Sequence, residues 1–275
     1  MSQKAKVERY REPMSSASNN GTLSDIEWET LTQLGLKKYR SESVHPLHIS
    51  SRLLLDKKEC LSILNAIMPE LGAPDLKVTA SLVIKRMAFL VLAPTLYAMS
   101  VYNKGLNLTI DNSVFEYPLN ERIWQNGMPI FDTQVSLALD ERAPWREGVL
   151  RQAFSEHLTP LVNVFNEVTG VSKRVLWENV AVRIFSVYER RILPNVANEL
   201  KAVVEDDLRF IVNAQTHGIF SVEENPVTRF YGKRKPLAEP ADPVRMRRTC
   251  CYYYKATSPE VYCSNCPLLL KKKHS

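Results

Sequence analysis

Four of the chain's five cysteines fall within its last 26 residues, as Cys250, Cys251, Cys263 and Cys266, leaving Cys60 far upstream. That crowding constrains the fold more than any other feature, because a segment so short brings its thiols together. The opening MSQKAKVERYREP carries charge every few residues and lacks the apolar run of a secretory signal, so the chain is expected to stay in the cytosol. Thiols there are kept reduced, and a cysteine group in such a chain is more often a metal site than a pair of disulfides. The pattern reads C-C-x11-C-x2-C. A C-x2-C knuckle turns both thiolates toward one metal in zinc and iron–sulfur sites alike. The neighbouring side chains of Cys250 and Cys251 point to opposite sides of an extended chain and must be turned together to reach one centre. Zinc sites usually avoid that strain by separating the pair by about two to four residues. A [2Fe–2S] cluster therefore fits at least as well as zinc, one arrangement being Cys263 and Cys266 on one iron and the doublet on the other.

Charge follows the same asymmetry. The chain carries 36 Lys or Arg against 30 Asp or Glu, yet from Arg229 to Ser275 the count is 11 against 3, so the tail is basic and the body slightly acidic. Such a field attracts nucleic acid, anionic lipid, an anionic small molecule or a negatively charged cofactor within the tail itself, and a plain solvated basic tail is the default against which these are weighed. Four thiolates around an oxidised [2Fe–2S] core form a dianion, and reduction adds a further negative charge. Arg245, Arg247, Arg248 and Lys255 would offset it and favour the reduced form. A zinc tetrathiolate is equally charged but does not change redox state.

The remainder reads as a mainly helical body with a small antiparallel sheet. Nine Gly against 16 Pro, and no G-x-G, leave no glycine-rich turn to cradle a nucleotide phosphate, which argues against bound NAD, FAD or ATP. The longest uncharged run, Met87–Asn103, is broken by Pro94 and falls short of the ~18–20 apolar residues of a membrane-spanning helix, so it reads as buried core. Residues 1–22 read as a flexible arm. Ser24 with Glu27, and Asp56 with Glu59, are helix-start patterns followed by apolar residues at threes and fours. Pro74 opens a third helix that Pro94 is expected to split or kink. After Gly105 the period becomes two: Leu106, Leu108 and Ile110 predict a β-hairpin into Val114–Tyr117, with a third strand at Val135, Leu137 and Leu139, so the sheet spans about 106–139. Helices are expected again from Trp145 to Gly170 with a bend at Pro160, from Ser172 to Pro194, and from Asn195 to Asn213. Prolines 226, 236, 240 and 243 mark an irregular connector. The organisation expected is an arm (1–22), a helical body (23–243) and a cysteine tail (244–275). Cys60 belongs to an apolar helix face and reads as a small core residue, since nothing near it in sequence would lower its pKa. His157 and His217 read as hydrogen-bonded structural residues.

At the cysteine motif, R-R-T-C-C-Y-Y-Y … Y-C-S-N-C-P, the chain resembles the FhuF-type ferric siderophore reductases, whose signature is a Cys-Cys doublet followed about ten residues later by C-x2-C. The intervening loop here has eleven residues, one more than that pattern. The segments IKRMAFLVLAPTLYAMSVYNKGL (Ile84–Leu106) and VSKRVLWENVAV (Val171–Val182) are similar to the family's helical region, itself similar to the C-terminal part of NRPS-independent siderophore synthetases. The likeness covers most of the chain from about Leu53. It implies a helical siderophore-binding body and a small C-terminal iron–sulfur subdomain in which Cys250, Cys251, Cys263 and Cys266 hold a [2Fe–2S] cluster.

The function so implied is a cytosolic ferric siderophore reductase, with a ferric siderophore as substrate and an external electron donor, a ferredoxin-like protein or a small reductant. Arg245, Arg247 and Arg248 are candidates for drawing in an anionic ferric chelate, with a solvated basic flank as the equal alternative. No nucleic acid and no integral membrane span are expected. The competing classes are a structural zinc knuckle on a nucleic-acid or protein binding module, and an iron–sulfur sensor without reductase activity.

Overall fold

The computed structural model describes residues 20–40, 48–116, 126–138, 141–234 and 243–271. Most of the expected arm, Leu139 of the expected third strand and residues 235–242 of the connector lie outside the described residues. The elements in chain order are β1 (Asn20–Gly21), α1 (Asp25–Gln33), β2 (Leu36–Lys38), β3 (His48–Ser50), α2 (Lys57–Glu70), α3 (Leu76–Tyr102), β4 (Lys104–Leu106), β5 (Val114–Glu116), β6 (Met128–Ile130), β7 (Val135–Leu137), α4 (Arg142–Ala153), α5 (Thr159–Thr169), α6 (Lys173–Val187), α7 (Asn198–Val212) and α8 (Leu268–Lys271).

The expected class, mainly α with small β, is what the chain adopts. Helix starts form as the sequence predicts. Ser24 and Glu27 exchange side-chain and backbone hydrogen bonds in a capping box, and the Asp56 carboxylate accepts from Lys58 N and Glu59 N at 2.9 Å. The centre is α3, buried on nearly every side from Val78 to Ser100, which explains its long uncharged run. No helix among the described residues is long and apolar enough to cross a membrane.

Pro94 does not split this helix: α3 runs unbroken for 27 residues. Leu90, Val91, Leu92, Ala93 and Leu96 are all fully buried around the proline, so packing along the whole length outweighs one lost backbone bond. Pro160 acts one turn early. Residues Phe154–Leu158 form a π-helical turn between α4 and α5, where the missing proline N–H leaves a carbonyl of the preceding turn without its usual donor.

The strands form, but not as the expected hairpin. β4 pairs antiparallel with β7, in register Lys104 to Leu137, and β1 lies on the other edge of β7. β5 pairs antiparallel with β3, while β2 and β6 make a parallel pair that the periodicity did not indicate. Between β4 and β5 the chain turns instead of extending. Asn107 Oδ1 accepts from Thr109 N and Oγ1, Leu108 N donates to Leu106 O, and Ile110–Asn112 closes a 3₁₀ turn. A side chain competing for backbone donors defeats the alternation of Leu106, Leu108 and Ile110.

Helices α3 and α6 lie side by side in the same direction, with Asn179 against Ser81 and Arg183 against Lys85. At the far end of this pair a buried ionic knot joins α3, α4 and α7. Asp207 takes both Arg142 nitrogens at 2.7 Å, Arg146 at 3.0 Å and the Ser100 hydroxyl at 2.7 Å, with Tyr188 on Ser100. Removing a buried carboxylate leaves its cations uncompensated, which costs about 3–5 kcal/mol. Asp207→Ala should therefore lower the unfolding free energy by about that much in urea titrations of the metal-free chain, and Asp207→Asn by less. His157 is fully buried. Burial pushes its imidazole down to about 4, so it is neutral, and its Nδ1 meets Leu108 O at 2.9 Å, a structural role as expected.

Candidate metal centre

The cysteine loop is laid onto the face made by the first halves of α3 and α6. Glu178 and Asn179 are buried polar residues on α6 that reach the loop from below. The Glu178 carboxylate accepts from Arg248 N at 2.6 Å, Thr249 N at 2.7 Å and the Thr249 hydroxyl, and lies 3.7 Å from the buried Arg247 guanidinium. Arg247 in turn donates to Asn179 Oδ1 at 2.8 Å and to Thr249 O at 3.0 Å. Asn179 donates to Ser81, and the Ser81 hydroxyl donates to the carbonyl of Cys251 at 2.9 Å. A continuous chain of hydrogen bonds thus fixes the backbone of the doublet against α3.

Local backbone geometry turns the two neighbouring cysteines. Tyr252 adopts a left-handed conformation, φ 63°, and its N–H donates to Cys250 Sγ at 3.3 Å. On the other side of the loop Cys266 N donates to Cys263 O, closing the knuckle, and Asn265 bonds across to the backbone of Arg245 and Arg247. The sulfur contacts run between the two halves of the motif: Cys251 Sγ lies 3.9 Å from Cys263 Sγ, and Cys250 comes near Cys266. This differs from the arrangement in which doublet and knuckle each form one pair. The turn at Tyr252, which the residue spacing does not encode, sets it.

The Cys251–Cys263 pair suits one metal. Two thiolates at about 2.3 Å from a tetrahedral metal stand about 3.8 Å apart, close to the Cys251–Cys263 separation. Among the described residues no three Cys, His, Asp or Glu side chains converge on a single ion position. Thiolates facing one another across the two halves of the motif suit a binuclear centre, with one couple on each metal. Cys251 and Cys266 are buried at 1% and 2% exposure, while Cys250 and Cys263 are part-exposed, so one edge of the site faces solvent.

The electrostatics favour thiolate at Cys251. The hydrogen bond from Cys263, helped by Lys85 and Arg247, holds the Cys251 thiol down at about 5, and Cys263 is correspondingly raised. Burial raises Cys250. Lys85 Nζ lies 3.8 Å from Cys251 Sγ and over the ring of Tyr253. Cys60, by contrast, is fully buried on α2, and burial, aided by Asp56, pushes its thiol up to about 12, the state of an inert core thiol.

Two family comparisons match. The family described as ferric iron reductase FhuF-like transporter matches residues 81–237, more than half of the chain, and the FhuF 2Fe-2S C-terminal domain matches 247–268. The chain belongs to the FhuF family. No curated protein and no solved structure matches it. The FhuF C-terminal domain matched here is a [2Fe–2S] domain, so the cofactor of this chain is a [2Fe–2S] cluster. The first match begins at Ser81, the residue that holds the Cys251 carbonyl, and includes Lys85, Glu178, Asn179 and Arg183 around the cysteine loop.

Of the sequence-predicted arginines, Arg245 pairs with Glu189 at 2.6 Å and stacks over Tyr231, Arg247 points inward, and Arg248 is exposed. Ser81, Lys85, Glu178, Asn179 and Arg183 were not singled out from the sequence. The signal available was the polar pair Glu178-Asn179 inside the apolar stripe of Leu176, Val180 and Ala181, where a solvated helix face would not put it.

Proposed function

We propose that this FhuF-family chain is a ferric siderophore reductase in which Cys250, Cys251, Cys263 and Cys266 hold the [2Fe–2S] cluster, Cys251 with Cys263 on one iron and Cys250 with Cys266 on the other. When bound, the cluster supplies a one-electron couple, and the Fe(III) of a siderophore is the acceptor. Hydroxamate, catecholate and carboxylate oxygens hold Fe(III) far better than Fe(II), so reduction is also release, and no residue need cleave the chelator. The chain's own task is positional. Cys251 and Cys266 root the site in the body, Cys250 and Cys263 leave an edge open to the chelate, and Lys85 and Arg247 lie beside the sulfurs where negative charge accumulates. Arg248, exposed two residues before Cys250, offers an incoming anion its charge, whereas Arg245 and Arg247 hold the loop to Glu189, Glu178 and Asn179. Residues 23–243 serve as the substrate-binding body and 244–275 as the cluster-bearing tail. The electron comes from outside, from a ferredoxin-like protein or a small reductant in the cytosol.

The observation that carries this reading is the pair of facing sulfur couples at a part-exposed edge. Stopped-flow mixing of anaerobically reduced protein with ferric siderophores tests it. Reoxidation should outpace that by air or by an unrelated oxidant. Equal rates would leave a sensor that holds a cluster and reduces nothing.

A further inference from the structure

Beside the cysteine loop, α3 and α6 together carry a run of cations around one half-buried aromatic ring. Phe89 lies one helical turn beyond Lys85 on α3, with Arg86 next to it on the same side. Arg86, Arg183 and Arg191 stand over the Phe89 ring, at 5.3, 5.8 and 5.1 Å from its centre. Arg183 belongs to α6, and Arg190 and Arg191, both exposed, to the π-helical turn after it. None of these four arginines has an ion pair among the described residues. The acids on this side are engaged elsewhere: Glu178 faces Arg247, and Glu189 faces Arg245 at 2.6 Å and Arg234 at 3.8 Å.

This face adjoins the sulfurs. Lys85 Nζ lies 3.8 Å from Cys251 Sγ and over the exposed ring of Tyr253. Arg183 donates to the Lys85 carbonyl at 3.2 Å and shares with Lys85, Arg190 and Cys263 the lining of a cleft beside the loop. Phe89, Arg86 and Arg191 lie outside that cleft. The sulfur charge acts on Lys85 and Arg183. Arg86 is pushed down to about 10 by burial and by Arg183, so it stays charged at neutral pH beside a like charge. An aromatic ring among guanidinium groups that lack counter-charges has the composition of a protein interface, where aromatic residues and Arg are enriched. Opposite charge on the partner then steers the encounter.

We propose that the Phe89 face, with Arg86, Arg183, Arg190 and Arg191 around it, docks a small acidic iron–sulfur carrier protein of the ferredoxin type, which hands its electron to the chain's cluster. Phe89 is the central contact, and the arginines meet carboxylates around it. One electron passes from the carrier's reduced iron–sulfur group to the oxidised [2Fe–2S] cluster. The carrier is oxidised, the chain is reduced, and no bond forms or breaks. Electron transfer weakens steeply with distance, and Lys85 links the sulfur contact to Phe89 within one helical turn. A nucleic acid or an anionic membrane would meet the same charge, but neither accounts for a docking face that adjoins a redox centre. The assignment rests on the reductase reading, which needs an outside electron, and adds the kind of protein that brings it and the place where it lands.

Binding and transfer are measured separately. With the cluster-loaded chain and a bacterial two-cluster [4Fe–4S] ferredoxin both oxidised, calorimetric titration at low salt should give a one-to-one complex that weakens as ionic strength rises. Arg190→Glu and Arg191→Glu, at exposed positions that the fold does not depend on, should each weaken it at least about fivefold, and the double variant more. For transfer, reduced ferredoxin is mixed anaerobically with the oxidised chain and freeze-quenched. At liquid-nitrogen temperature reduced [4Fe–4S] clusters relax too fast to be seen, so EPR reports the chain's [2Fe–2S] signal alone. At sub-saturating ferredoxin its rise should slow in the variants by factors similar to those in affinity, while photoreduction by neutral 5-deazariboflavin keeps the parental rate. No complex, a complex unaffected by the variants, or parental transfer in them would overturn the assignment. So would a parent chain that ignores the ferredoxin and binds phosphatidylserine vesicles or duplex DNA through these arginines. The reductase reading stands or falls separately. A chain that takes the ferredoxin's electron and is reoxidised by no ferric siderophore would sink the reductase and keep the docking face. A photoreduced chain that reduces ferric siderophores, yet accepts nothing from the ferredoxin, would sink the docking face alone.

Discussion

Cys250→Ser, Cys251→Ser and Cys266→Ser, each prepared without oxygen, should lose or severely alter the visible absorption and the reduced-state EPR signal, whereas Cys60→Ser should match the parent in both. All four residues are cysteines in one chain, and their surroundings divide them. Cys251 faces Cys263 across 3.9 Å with Lys85 and Arg247 alongside, a setting that stabilises thiolate. Cys266 lies against Cys250 in the second couple. A serine oxygen is a harder and far less acidic donor than a thiolate and does not replace it on a soft iron–sulfur unit. Cys60 is fully buried on α2, and its thiol is pushed up to about 12 there. Its replacement should show up in the unfolding midpoint, because burying a hydroxyl without a partner costs about 1–3 kcal/mol. Iron and acid-labile sulfide analysis on the same samples completes the comparison. A Cys60 variant without cluster, or a Cys251 variant with the full complement, means that the ligand set is misassigned.

The cysteine motif was legible because metal ligation depends on residue identity and short spacing, both written in the linear sequence. Helix starts at Ser24 and Asp56 were legible for a similar reason: the capping side chain and the backbone it serves lie within one turn. What stayed hidden was settled by contacts distant in sequence. The continuity of α3 through Pro94 follows from neighbours on every side of it, and the pairing of β4 with β7 in place of a hairpin follows from Asn107 claiming local donors. The sulfur pairing was hidden too. It depends on a left-handed backbone at Tyr252, a residue type that gives no cue for such a turn. Glu178, Asn179 and Ser81 belong to the same group, since nothing in a helical period announces that a buried carboxylate will meet backbone groups about seventy residues later.

Glu178→Ala should release the cysteine loop while leaving the helical body folded. The carboxylate holds two backbone N–H groups and the Thr249 hydroxyl, and it is the acid nearest the buried Arg247. Truncation leaves those donors unpaired, at about 1–3 kcal/mol each where water cannot reach them, and strands a guanidinium whose loss of partner costs about 3–5 kcal/mol. The loop escapes these costs by lifting into solvent. The same step pulls Arg247 from Asn179 and the Cys251 carbonyl from Ser81, because all belong to one network. About 4 kcal/mol corresponds to roughly a thousandfold shift toward the lifted state. The measurable results are faster loss of iron to a chelator from the loaded protein, and new proteolytic cleavage within 244–271 while far-UV circular dichroism is retained. Glu178→Gln keeps one acceptor oxygen but turns an amide N–H₂ toward a backbone N–H, so its effect should fall between the two. Parental rates of iron loss and cleavage in Glu178→Ala would mean that the cysteine segment holds its shape from within, and that α6 merely passes beneath it.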